Sequence, residues 1–122
     1  MSNGIPADNI HLKRAYEAPE KADGQRILVD RLWPRGVSKA DAAIDDWKKE
    51  IAPSTALRKW FGHDPERWEA FRDRYRRELR DHSDQVAELR ALARKGRITL
   101  VYSAHDQAHN DAVVLRAVLL GR

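Results

Sequence analysis

Cysteine is absent from all 122 residues. Its absence removes disulfides, thiolate metal sites and cysteine nucleophiles, and it fits a reducing compartment. A cytoplasmic location is therefore expected. Glycine and proline are sparse, at 6 and 5 residues, and no glycine-rich phosphate loop occurs. That argues against a nucleoside triphosphate or dinucleotide, and no cofactor is expected. Long apolar runs are missing too. The longest, residues 112–120, is interrupted by Arg116, and a membrane helix needs roughly 20 apolar residues. Met1-Ser2-Asn3-Gly4 lacks a basic region followed by an apolar core, so no secretion signal is expected. Neither sign of charge dominates: 23 Lys and Arg against 19 Asp and Glu leave a net charge of +4. This mild imbalance favours anionic partners without forming a dedicated nucleic-acid arm.

What is present fits one domain with one continuous core. The chain contains no repeat, low-complexity tract or linker. Residues 1–9 are small and polar and are expected to be loose, with a single α/β domain over 10–122. Residues 10–16 alternate Ile10, Leu12 and Tyr16 around Arg14, the period of a strand. Ile27, Leu28 and Val29 are consecutive, which suits a strand buried on both faces, and residues 98–102 read the same way. A shorter strand is expected at 44–47.

Helix signals fall between these strands. Ser38 has capping-box spacing, Ser54 precedes a helix over 55–61 closed by Gly62, and Asp64-Pro65 opens another. Trp68, Phe71, Tyr75 and Leu79 make one helical stripe. Ser83 is placed as the cap of a helix carrying Val86, Leu89 and Leu92, ended by Gly96. A last helix is apolar around most of its circumference. The expected fold is a small three-layer α/β domain. Its sheet has three to four mostly parallel strands and helices on both faces, with 27–30 and 98–101 as interior parallel neighbours.

In such sheets ligands sit outside the carboxyl ends of the strands. Two loops leave those ends, residues 30–36 and 103–110. Arg31 and Arg35 suit a bidentate grip on a phosphate, sulfate or carboxylate, with Trp33 as a wall. The alternative is that Arg31 pairs with Asp30 or a neighbouring carboxylate and pins its loop. Ser103 follows a strand and precedes a helix, but Tyr102 and Ala104 replace the glycines of a nucleophile elbow. It is read as a hydrogen-bonding residue, with Asn110 locking the second loop. His63 and His109 are the candidate proton carriers, imidazole being the side chain that ordinarily titrates near neutrality.

Two further readings stay open. His105 and His109, spaced i, i+4, could bind a metal with Asp106. Equally, Asp106 could cap the helix. The arginine-rich helix 66–80 could contact nucleic acid or protein, although interleaved acids favour a solvated, salt-bridged face. The expected ligand is an anionic small molecule, bound or hydrolysed. Nucleic acid ranks second, no membrane association is expected, and the oligomeric state stays open.

The run 26–39 (RILVDRLWPRGVSK), then Ala52-Pro53-Ser54, Trp60-Phe61-Gly62-His63-Asp64-Pro65, Tyr102-Ser103-Ala104 and His109-Asn110 resemble the YeaO-like proteins of the domain of unknown function 488 family. The resemblance covers about residues 10–120 in family order. It implies a small bacterial α/β protein and no established activity. A weaker likeness runs to rhodanese and cysteine-phosphatase-like domains, whose catalytic cysteine is replaced here by Ser103. It implies at most a retained anion site.

Overall fold

The computed structural model describes residues 4–122. Four strands form one sheet: β1 (Ile10–Arg14), β2 (Gln25–Leu28), β3 (Asp46–Trp47) and β4 (Ile98–Tyr102). Their spatial order is β1-β4-β2-β3, and every pairing is parallel. Ile10 registers with Ile98, and Ile27 with Leu100. The two strands expected inside are indeed parallel neighbours there. Pairing continues one residue beyond β2, where the Val29 amide donates to Val101. β3 is only two residues long and lies at an edge.

Among the described residues five α-helices accompany the strands: α1 (Lys39–Ala42) between β2 and β3, α2 (Thr55–Phe61), α3 (Trp68–Arg80) and α4 (Ser83–Lys95) between β3 and β4, and α5 (Asp111–Leu119) after β4. Their ends follow the sequence signals closely. The Ser38 hydroxyl accepts from the Asp41 amide, and the Ser54 hydroxyl accepts from Leu57. Gly62 closes α2 in the left-handed conformation at φ 54°, which costs glycine little. Ser83 differs from expectation. It is the first helical residue rather than the cap, and His82 before it makes no capping side-chain bond.

The sheet's two faces are built differently. One carries Ile10, Ile27, Val29, Ile98, Leu100 and Tyr102 into a cluster with side chains of α2 to α5, among them Phe71, Tyr75, Leu79 and Leu89. Tyr75 is fully buried and its hydroxyl donates to Ile51 at 2.6 Å. The opposite face has a small apolar cluster of Ala15, Leu28 and Val101, flanked by Trp33, Ile44 and Trp47. Beside it lies an ionic knot. Buried Arg26 donates to Asp23 at 2.7 Å and twice to the Ala42 carbonyl, and Lys13 bridges Asp23 and Glu20. Burial pushes the Asp23 carboxyl up. The Glu20 amide, Lys13 and Arg26 outweigh it and hold the group below its ordinary range.

The segment read as loose splits in two. Residues 1–3 lie outside the described ones. Ile5, by contrast, is buried in the core, and Asn9 donates to the Ala93 carbonyl at 2.7 Å.

Candidate functional site

Because every strand runs the same way, the chain leaves β1, β2 and β4 along one rim, and α5 enters it. A cavity of about 280 Å³ opens there. Its floor holds Asp30, Ser103, Asn110 and Asp111. Phe61, Phe71, Trp33 and Pro53 form its walls, while Arg35, Arg58, His63, Tyr16 and Leu32 also line it. Phe61 and Phe71 stack with ring centroids 4.3 Å apart.

The floor is a hydrogen-bonded unit. One oxygen of Asp30 accepts from both the Ser103 amide, at 2.9 Å, and the Ser103 hydroxyl, at 2.8 Å. This explains a serine directly after β4: its two donors tie the ends of neighbouring strands together. The Asp111 carboxyl faces the same Asp30. Burial first, then the charge of Asp30 and a hydrogen bond to it, raise Asp111 well above the carboxylate range. The shift favours the neutral form of Asp111 beside Asp30. Tyr75 lies near enough for both acids to add to the burial that holds its phenol well above its ordinary range.

Asn110 is occupied with structure. Its side-chain oxygen caps α5 by accepting from Val113, and its amide nitrogen donates to the Asp106 carbonyl. Asp106 is not the helix cap. Its carboxylate folds the preceding loop by accepting from the amides of Ala108 and His109 and by pairing with the His109 ring at 2.8 Å. The His109 ring also meets the edge of Trp68, with centroids 5.1 Å apart.

The two arginines diverge. Arg31 reaches the carbonyls of Pro53 and Ala52 at 3.3 and 3.4 Å and is not among the cavity-lining residues. Its partners are backbone oxygens rather than a carboxylate. Arg35 is exposed and lines the cavity, and its carbonyl accepts from the Tyr16 hydroxyl at 3.1 Å. The Trp33 indole nitrogen donates to Val37 at 2.7 Å, which fixes the wall. His63 lines the cavity with φ 58°, directly after left-handed Gly62. A non-glycine residue in that region is strained, and the surroundings must hold it there. His109 does not join it at the cavity.

Sequence reasoning missed Arg58, Asp111 and the stacked phenylalanine wall. Asp111 is hidden because an acid in a helix's first turn reads as dipole compensation. Arg58 is hidden because an exposed arginine on a short helix is ordinary.

The other candidates are placed as follows. His105 contacts Arg14 through its ring at 3.3 Å, away from the Asp106–His109 pair. Among the described residues no three acid, histidine or cysteine side chains converge as metal ligands. On the arginine-rich helix, Arg67 and Arg74 stack over Trp60 and Arg76 donates to the Arg122 carbonyl. Arg72 and Arg80 face water. Among the described residues no helix is long and apolar enough to cross a membrane.

Comparison with known proteins agrees with the resemblance seen in the sequence. The chain is 49% identical over 107 residues to the uncharacterized protein YeaO of Escherichia coli K12, covering 88% of this chain and 93% of that one. It is 43% identical over 113 residues to uncharacterized proteins of Mycobacterium bovis (Mb3100c) and Mycobacterium tuberculosis (Rv3073c), covering 93% of this chain and 95% of each. No solved structure gives a significant match. The family described as the inactive DUF488-N3 subclade, DUF488-N3i, matches residues 9–122, and the chain belongs to it.

Proposed function

We propose that this protein binds a small anionic ligand in the cavity at the carboxyl rim of its sheet and does not turn it over. The observation that carries this reading is that Arg35, Arg58 and His63 line one cavity at the rim together with the Asp30–Ser103 unit. Two guanidiniums supply fixed positive charge and bidentate donors for a carboxylate or phosphate. Burial and the neighbouring Asp30 raise the Asp111 carboxyl well above its ordinary range, which lowers the negative charge the floor presents. The family's description as an inactive subclade supports binding over hydrolysis. In this reading Trp33 is a wall, Ser103 and Asn110 hold the floor in shape, and Arg31 pins the loop that carries Arg35. His63 serves as a rim donor. His109, engaged by Asp106, takes no direct part.

The test is a thermal-shift titration with inorganic phosphate and with benzoate. Arg35→Ala and Arg58→Ala should each weaken ligand-induced stabilisation, since a charged hydrogen bond contributes roughly 1.5–3 kcal/mol. Both variants should melt as the parent does without ligand. Arg31→Ala should instead lower the unliganded melting temperature. Stabilisation by either anion that survives in the Arg35→Ala, Arg58→Ala double variant would refute the reading.

A further inference from the structure

Anionic chemistry alone does not explain the cavity's mouth. Among the described residues, the two large hydrophobic side chains that stand exposed are Leu32, at 59%, and Tyr16, at 48%. Both line this cavity. Scattered exposed leucines are ordinary, but apolar exposure concentrated at one polar-rimmed opening marks a binding surface. Behind it stand Phe61 and Phe71, stacked on each other and almost wholly buried, and the half-buried Trp33, locked by its bond to Val37. Aromatic walls of this kind favour a flat π-surface in offset or edge-on contact.

Size narrows the class. Small-molecule pockets run from roughly 300 to 1,000 Å³, and this one, at about 280 Å³, sits at the lower bound. One ring with its substituents suits that space, whereas a bare tetrahedral ion would leave the aromatic walls unused. The polar lining is of two kinds: Arg35, Arg58 and His63 offer donors and positive charge, while Asp30 and Ser103 form a hydrogen-bonded unit next to Asp111.

The geometry points to a single-ring aromatic acid as the ligand: its carboxylate lies between Arg35 and Arg58, its ring against Phe61, Phe71 and Trp33, and a distal hydroxyl meets Asp30. This rests on the anion-binding reading above and goes beyond it by naming the ring and the distal hydroxyl. At the floor such a hydroxyl donates to the carboxylate of Asp30, the acceptor that Ser103 holds in place.

Calorimetric titration of the full chain with 4-hydroxybenzoate, benzoate, cyclohexanecarboxylate and inorganic phosphate tests this. The expected order is 4-hydroxybenzoate tightest, benzoate about tenfold weaker, and cyclohexanecarboxylate and phosphate weaker still. Leu32→Ser, at an exposed position that leaves the fold alone, should weaken both aromatic acids several-fold and leave phosphate unchanged. Phosphate binding as tightly as the aromatic acids, with all four probes lost in the Arg35→Ala, Arg58→Ala double variant, overturns the aromatic class and leaves the anion reading standing. Binding that ignores the two arginines, or no binding by any of the four, overturns both.

Discussion

The two faces of the sheet solve the burial problem in opposite ways. Under α2 to α5 the strands present Ile27, Leu100 and Tyr102 to an aromatic and aliphatic layer. On the other side the same strands present Lys13, Arg26 and Thr99 between Leu28 and Val101, roofed by α1 and two tryptophans. Apolar burial is non-directional and tolerates adjustment. A buried ion pair is unforgiving, because removing one partner strands the other. The thick face thus supplies most of the stability, while the thin face depends on every member of a small network being in place.

The largest effect should come from the thick face. Phe71→Ala opens a hole beneath Phe61 and should cost about 3–5 kcal/mol in chemical denaturation; a loss within about 0.5 kcal/mol would mean that α3 does not anchor the core. Next comes the thin face. Asp23→Ala leaves buried Arg26 without its carboxylate and should cost about 3 kcal/mol, although it deletes far less apolar area. If Asp23→Ala proves nearly neutral, the contrast between the faces collapses.

The rim gives a third and smaller effect, visible as a pH dependence. Asp111 is raised well above its unfolded value by burial and by Asp30. The folded state therefore binds more protons than the unfolded one between those two pKa values. The stability this group contributes is full below the unfolded value and is lost as pH rises through the folded one. Asp111→Asn, which cannot ionise, should flatten that decline, so that its melting temperature gains on the parent's as pH increases. Parallel curves would show that the Asp111 carboxyl is not raised by folding. Asp23 has the opposite sign. Its depressed carboxyl stabilises above the unfolded value, and that contribution fades as pH falls through the folded one. The smallest effect is expected at the solvated face of α3, where Arg72→Gln should change stability by no more than about 0.5 kcal/mol. Sub-micromolar, salt-sensitive binding of duplex DNA, lost with Arg72 and Arg77, would give that face a role the acids between its arginines argue against.

The strands and most helix ends were legible because they rest on local signals. Ile27-Leu28-Val29 could hardly be anything but a buried strand, and Ser54 with Gly62 bracketed α2 to the residue. The site was legible only as far as topology reaches. Parallel strands put residues 30–36 and 103–110 on one rim, as expected. Which side chains turn inwards was settled by tertiary partners that no spacing encodes. Arg31 and Arg35 read alike in sequence, yet the free carbonyls of Ala52 and Pro53 draw one away from the rim. The Asp111 carboxyl is raised by burial and by Asp30, which stands 81 positions earlier in the chain, and neither is written in the local sequence.

The strand order has a temporal side. β1 and β2 are made first, but they do not touch; β4 lies between them and pairs with both. A ribosome must therefore deliver about four-fifths of the chain before Ile10 can meet Ile98. Until then both early strands expose unpaired edges. Folding dominated by such distant pairings is slow and open to aggregation. A nascent chain stalled before residue 98 would have its first helices in hand and only the two-residue β2–β3 pairing to lay them on.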